Sequence, residues 1–429
     1  MKLNQRFTLL GLGLIGLLTL PSAFADQRFI QIEARTKEQR SQIADRGVSI
    51  EAVRSDSVWG FANENSINEL NQGGFKILGN FDQEVARGGH ETMFDFPTED
   101  TRFHNYNELM EELNHLAQEH ADIVKIHNIG TTVEKRNIWA IHINTSQDEL
   151  EKGQSNKPGI IYVGNHHARE HLSMEIPLMY AQYLMSHRRD PRISSLLDSR
   201  DIWIVPMLNP DGVEFDIATA NYKMWRKNRR KNANGTYGVD LNRNYGFGWG
   251  TGGSSKDPSS DVYMGTSAFS EPETQAFRDF VNAHANTKVL LSFHTFSELI
   301  LYPWGGKHDP VPNNEDRLTF ETLAKTMAQW NHYTPEQASD LYIASGDTTD
   351  WAYGTHGIFA FTFELSPKSM YEGGFYPGQK VIDKVFEDNL KPCLYLLDVT
   401  DNPKKVLGNS SSSFLKNYQE PSINPALFW

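Results

Sequence analysis

The chain has 429 residues and carries 54 acidic against 41 basic side chains, a formal charge of -13. That balance argues against a nucleic-acid binder, which needs a basic surface to neutralise phosphates. With 39% hydrophobic residues the chain can bury a large core, and it shows no internal repeat of the solenoid kind.

The first residues read as an export signal. Lys2 and Arg6 give a basic start, Leu9 to Leu20 an apolar run, and Ala23-Phe24-Ala25 the small residues of a cleavage site. The run is short for a membrane span, so cleavage after Ala25 is expected, with a secreted product, periplasmic or extracellular, free of the membrane. No other stretch is fit to cross a bilayer.

Residues 26–94 read as a small α/β unit and a linker. Phe29 to Ala34 alternates like a strand, and Lys37 to Ala44 reads as a helix. Thr36 is its expected N-cap, with Gln39 completing a capping box. Val48 to Ala62 has further strand pattern, and Asn65 to Leu70 reads as a second helix. Gly73-Gly74 breaks it before a last strand at Phe75 to Leu78. Asp82 to Asp100 has the polar composition of a linker open to proteolysis.

Within a domain expected at residues 95–400, strands and helices alternate from about Phe103 to Val399, the pattern of an α/β domain with helices on both sheet faces. Ile160 to Val163, Ile202 to Val205, Val289 to Phe293 and Phe359 to Phe363 are apolar runs suited to central strands. The single cysteine, Cys393, sits in an apolar run and reads as a core residue. Residues 401–429, with Pro403, serines at 410–413 and Pro421 and Pro425, read as a flexible extension.

Reactive residues follow three of those strands: His166, His167, Arg169, Glu170 and His171 after Val163, His294 after Phe293, and Glu364 after Phe363. Ligand and catalytic groups gather where strands of open α/β sheets end. A catalytic zinc needs three protein ligands and one open position for water. His167-x-x-Glu170 sets an imidazole and a carboxylate one turn apart, and a distant His294 completes a set of three. Alone the short motif is weak, because it arises by chance and His166 and His171 compete within the same segment.

The wider arrangement resembles the zinc carboxypeptidases of the pancreatic carboxypeptidase A family, its bacterial carboxypeptidase T branch most of all. The resemblance runs from about Asp95 to Asp398 in the family's order. It is carried by His167-Ala168-Arg169-Glu170, Asp240-Leu241-Asn242-Arg243, Ser292-Phe293-His294-Thr295 and Phe363-Glu364-Leu365. It implies a mixed, largely parallel twisted sheet flanked by helices on both faces and preceded by a small α/β propeptide. It also selects His167, Glu170 and His294 as ligands of one Zn2+, with Asp240 orienting the first imidazole.

The same resemblance distributes the chemistry of C-terminal peptide hydrolysis. Glu364 is the general base and Arg226 polarises the scissile carbonyl. Asn242 and Arg243 anchor the substrate's free carboxylate, Tyr342 closes on it, and Arg169 makes a further substrate contact. Asp347 is expected to accept Lys or Arg, where Thr349 stands in place of the pancreatic specificity residue, giving broad specificity for apolar and basic C-termini. Lys223 and Phe296 depart from the animal enzymes and concern outer subsites. The N-terminal unit resembles an activation segment removed by another protease near Asp95. Calcium is also implied by the carboxypeptidase T branch, with Asp148, Glu149 and Glu151 as an acidic loop, against the plainer reading of solvated carboxylates. Two competitors stand beside this reading. One is a cell-wall peptidase or amidase on the same scaffold; the other is an inactive binding module, which would be expected to lose a ligand or the base.

Overall fold

Two sheets carry the fold, which a computed structural model describes over residues 27–81 and 96–408. The first comprises β1 (Arg28–Glu33), β2 (Ser49–Val53), β3 (Ser57–Ala62) and β4 (Ile77–Phe81), in the antiparallel order β2-β3-β1-β4. Helices α1 (Lys37–Asp45) and α2 (Glu64–Gln72) connect its strands. Thr36 and Gln39 form the expected capping box on α1, and Asn63 caps α2. The last strand starts two residues later than its apolar run. Gly74 turns the chain at φ +74° and the Phe75 amide bonds back to Leu70 O, so Phe75 closes the helix end instead of opening the strand.

The second sheet has eight strands among the described residues, in the order β11-β10-β12-β9-β7-β8-β6-β5. They are β5 (Val124–Thr131), β6 (Asn137–Ile143), β7 (Gly159–Val163), β8 (Asp201–Val205), β9 (Thr287–Thr295), β10 (Leu299–Tyr302), β11 (Thr334–Gln337) and β12 (Phe359–Leu365). The central run β12-β9-β7-β8 is parallel, while β5, β6 and β10 add antiparallel pairings. Every residue of β7 and β8 is buried, as their unbroken apolar runs require. Alternate residues go to opposite cores. Ile160 and Tyr162 join helices α5 (Leu172–Ser186) and α11 (Ile382–Val399), whereas Ile161 and Val163 join Phe277 and Phe280 of α8 (Pro272–Ala283) and Trp351 of α10 (Thr348–His356). Helices therefore cover both faces of a mixed sheet. Cys393 is buried within α11.

Two expectations change at the edges. Phe96 to Asp100, linker by composition, is packed: Phe96 stacks on Phe103 and meets the His171 ring edge-on. Asp100 accepts from Tyr222 Oη at 2.7 Å and from the Gln379 amide at 2.8 Å. Likewise residues 401–408 are not loose, since Pro403–Leu407 forms a 3-10 turn capped by Asn402. The signal, the rest of the linker and the tail from residue 409 lie outside the described residues. No helix among the described residues is long and apolar enough to cross a membrane.

Candidate active site

The reactive residues meet at the carboxyl end of the parallel strands. After β7 the chain must turn sharply into α5, and a Cβ on Gly164 would lie 2.0 Å from Ser173 O, so only glycine fits there. Asn165, at φ 59°, donates from its amide nitrogen to His167 O at 2.9 Å and fixes the loop. His167 and Glu170 project from this turn. His294 and Glu364 are not beyond their strands, as the apolar runs suggested, but within them. Each is the last residue but one of β9 and β12, and the two are register partners.

His167 Nδ1 lies 2.8 Å from Glu170 Oε1, His294 Nδ1 lies 2.9 Å from Glu170 Oε2, and the two Nδ1 atoms are 3.1 Å apart. His167 Nε2 donates to Asp240 Oδ1 at 3.1 Å, so its Nδ1 presents a lone pair to the cluster. Three buried ligand atoms thus converge, and they form the one such group of three among the described residues. Two imidazoles and a carboxylate fit a tetrahedral zinc with its fourth position left for water. Burial by itself raises the Glu170 carboxyl, but the imidazoles of His167 and His294 hold it well below its ordinary value.

Around this cluster a cavity of about 360 Å3 is lined by Arg226, Asn242, Arg243, Tyr342, Asp347 and Glu364. Glu364 is half-buried on the cavity wall. Burial and then the charge of Glu170 push its carboxyl well above the ordinary range, while Arg226 and Arg243 pull the other way. A raised carboxyl suits a group that takes up and returns a proton. Burial opposes the Arg226 charge, and Asp240 Oδ2, accepting from its Nε at 3.1 Å, restores it. Asp240 therefore serves two functional side chains at once. Arg243 is steered by Gly253 O, which accepts from its Nε at 3.0 Å.

Comparison with known proteins decides the family. Residues 109–392 match the zinc carboxypeptidase family. The chain belongs to the zinc carboxypeptidases. It is 33% identical over 405 residues to a zinc carboxypeptidase of Saccharothrix mutabilis subsp. capreolus, covering 90% of this chain and 92% of that one. It is also 33% identical over 288 residues to human carboxypeptidase A1, covering 65% and 66%. Among solved structures, carboxypeptidase A from Helicoverpa armigera superposes with a TM-score of 0.71 at 25% identity, over 90% of this chain and 99% of that one. The protein is a metallocarboxypeptidase, acting on peptide C-termini with zinc.

In this carboxypeptidase two expected substrate residues are engaged by the N-terminal unit. Arg169 is fully buried: its guanidinium lies between the rings of Phe61 and Phe375, donates to Glu51 Oε1 at 2.8 Å and pairs with Asp261. Tyr342 Oη donates to Ile50 O at 3.2 Å. Residues 50–54, the β2 strand and its end, line the cavity itself. Sequence patterning showed this strand but carried no sign of what it faces. Asp347 caps α10, accepting through Oδ1 from the amides of Thr349 and Asp350, while its buried Oδ2 has no partner. The acidic segment at 148–151 belongs to a short helix (Gln147–Lys152). There Asp148 pairs with Lys152, Glu151 with Lys125, and Glu149 accepts from Ser155 and Asn144. These carboxylates form no converging group of three, and nothing in the arrangement supports a calcium site.

Proposed function

We propose that this carboxypeptidase is exported, is made as a latent precursor, and releases both apolar and basic C-terminal residues. We further assign His167, Glu170 and His294 as the zinc ligands and Glu364 as the general base. The observation that carries the assignment is the convergence of the two Nδ1 atoms and the Glu170 carboxylate in the same cavity as Glu364, Arg226 and Arg243.

Zinc held there supplies a Lewis acid and lowers the pKa of its bound water. Glu364 takes the proton of the attacking water and later delivers it to the leaving amine. Arg226, held charged by Asp240, faces the carbonyl oxygen as negative charge develops on it. Asn242 and Arg243 bind the terminal carboxylate, and Tyr342 closes over it. Asp347 lines the same cavity and has a buried carboxylate oxygen without a partner, which supports acceptance of Lys and Arg side chains.

Latency is supported by the β2 strand across the cleft. An ion pair between Glu51 and Arg169, and the bond from Tyr342 to Ile50, occupy groups that substrate needs. Cutting in the stretch before Phe96 frees them. Activity towards N-blocked dipeptides ending in Phe, Leu, Lys or Arg tests the whole reading. Activity should appear on limited proteolysis, vanish with a chelator and return with zinc. An intact chain as active as the cut one would overturn the latency, and no turnover of Lys or Arg would overturn the breadth.

A further inference from the structure

His166 is the neighbour of a metal ligand, yet it points away from the metal cluster. Its Nε2 lies 2.8 Å from Thr348 Oγ1, and its Nδ1 lies 3.4 Å from Ser292 Oγ. Ser292 Oγ in turn lies 3.1 Å from His294 Nε2. At the far end both the Thr348 amide and Thr348 Oγ1 lie 2.9 Å from Asn242 Oδ1. Ser292, His166 and Thr348 are all buried.

We propose that His294, Ser292, His166, Thr348 and Asn242 form one directional hydrogen-bond relay. It joins the metal end of the cleft to its carboxylate end, and Ser292, His166 and Thr348 are positioning residues for the carboxylate. The proposal rests on the assignment of His294 to zinc and of Asn242 to the substrate carboxylate.

The direction follows from what each atom can do. A backbone N–H only donates, so the Asn242 atom it meets must be the amide oxygen, and its NH2 faces the cavity. That oxygen only accepts, so the Thr348 hydroxyl donates to it. Thr348 Oγ1 then accepts from His166, whose proton must sit on Nε2. Tyr245 Oη, 2.9 Å from the same nitrogen, shares that donor. With its proton on Nε2, the His166 ring offers a lone pair at Nδ1, 3.4 Å from Ser292 Oγ, and accepts from that hydroxyl. Ser292 Oγ therefore accepts from His294 Nε2–H. This leaves the His294 lone pair on Nδ1, the atom that faces Glu170 and His167. Worked out from the carboxylate end alone, the chain of donors arrives at the tautomer that metal ligation needs. A set of separately satisfied core hydroxyls has no reason to agree with both ends.

Two measurements test the relay. In the zinc-loaded full chain with 15N-labelled histidine, the His166 ring, assigned with His166→Gln, should show a proton on Nε2 and none on Nδ1. The opposite tautomer, or a doubly protonated ring, overturns the proposal. In the proteolytically processed enzyme, Thr348→Val and Ser292→Ala should each raise KM for a substrate with a free carboxylate about fivefold, with kcat within about twofold, as loss of one hydrogen bond implies. The double variant should exceed the larger single effect by less than about twofold, because either change breaks the same relay. Thr348→Ser should restore KM. Effects that multiply, or an unchanged KM in Thr348→Val, overturn the relay. A wild-type enzyme without activity would count against the reading of the site, and the ring-nitrogen signals would still decide the relay.

Discussion

His294 and Glu364 are register partners on adjacent parallel strands, so the proposed metal-ligating imidazole and the proposed base share one row of the sheet. The distance between these two side chains is thereby set by strand spacing and not by a loop.

Replacing Glu364 by Gln keeps the shape of the side chain and removes the proton acceptor. We expect kcat to fall about a thousandfold. Zinc content, read by atomic absorption, should stay at one ion per chain. Activity near that of wild type would remove Glu364 from the base's role.

The proposed zinc ligands come from β9 and from the turn after β7, and so converge only in the folded chain. At a thousand times its dissociation constant, zinc should stabilise the fold by about 4 kcal/mol. Calorimetry should show the Tm dropping by several degrees with a chelator and recovering with zinc. A Tm indifferent to both would argue against the cluster as a metal site.

Glu51→Gln removes the charge that Arg169 meets from the N-terminal unit, while Asp261 still pairs with it. Loss of one buried, charged hydrogen bond costs about 2 kcal/mol, about thirtyfold in the balance between docked and undocked unit. The uncut variant should show activity that the uncut wild type lacks, and proteolytic activation should run faster. Equal latency would mean that the pair is incidental.

Asp347 caps α10 through Oδ1 and also lines the cavity. Asp347→Asn keeps the cap and removes only the charge, so it is a cleaner probe than Ala, which also loses about 1 kcal/mol of capping. Release of Lys and Arg should fall more than about tenfold relative to Phe and Leu. Burial raises the Asp347 carboxyl above its ordinary value. As pH falls it protonates early, and turnover of basic C-termini should fade before that of apolar ones. Parallel pH profiles would contradict the assignment.

Away from the site, His104 Nδ1 bonds Glu175 at 2.8 Å. Burial alone would lower this imidazole, but the Glu175 carboxylate more than offsets that and holds it at about 9. The folded value exceeds the ordinary value of about 6.5, so the stabilisation is complete below pH 6.5 and is lost as pH rises through 9. The pair contributes up to about 3 kcal/mol on this basis. Thermal melts between pH 6 and pH 10 should show a decline in Tm that His104→Gln flattens.

The elements were legible where the chain's local chemistry decides them. The Thr36–Gln39 cap, the unbroken apolar runs of β7 and β8, and the alternation of Phe29 to Ala34 each specify their own structure. Single site residues were not legible in that way. His-x-x-Glu is short enough to arise by chance, and family order chose His167 over His166 and His171. What stayed hidden depends on contacts between distant segments. Glu51 lies 118 positions from Arg169, and Thr348 lies 106 from Asn242. Nothing local to either partner announces the other. Phe96 misled for a related reason: its surroundings are polar in sequence, while the aromatic pocket that buries it comes from residues 103, 171 and 222.

The N-terminal unit grips more than the cleft. Lys37 pairs with Asp340, Arg40 donates to the backbone oxygens of residues 340 and 341, and Ser41 accepts from the Ile343 amide. These contacts flank Tyr342 on both sides. On the proposed latency, the unit that covers the cleft therefore also holds both flanks of the tyrosine proposed to close over the substrate. Its release should then deliver an open cleft and a movable tyrosine in a single event, without a stage in which one is present and the other is not.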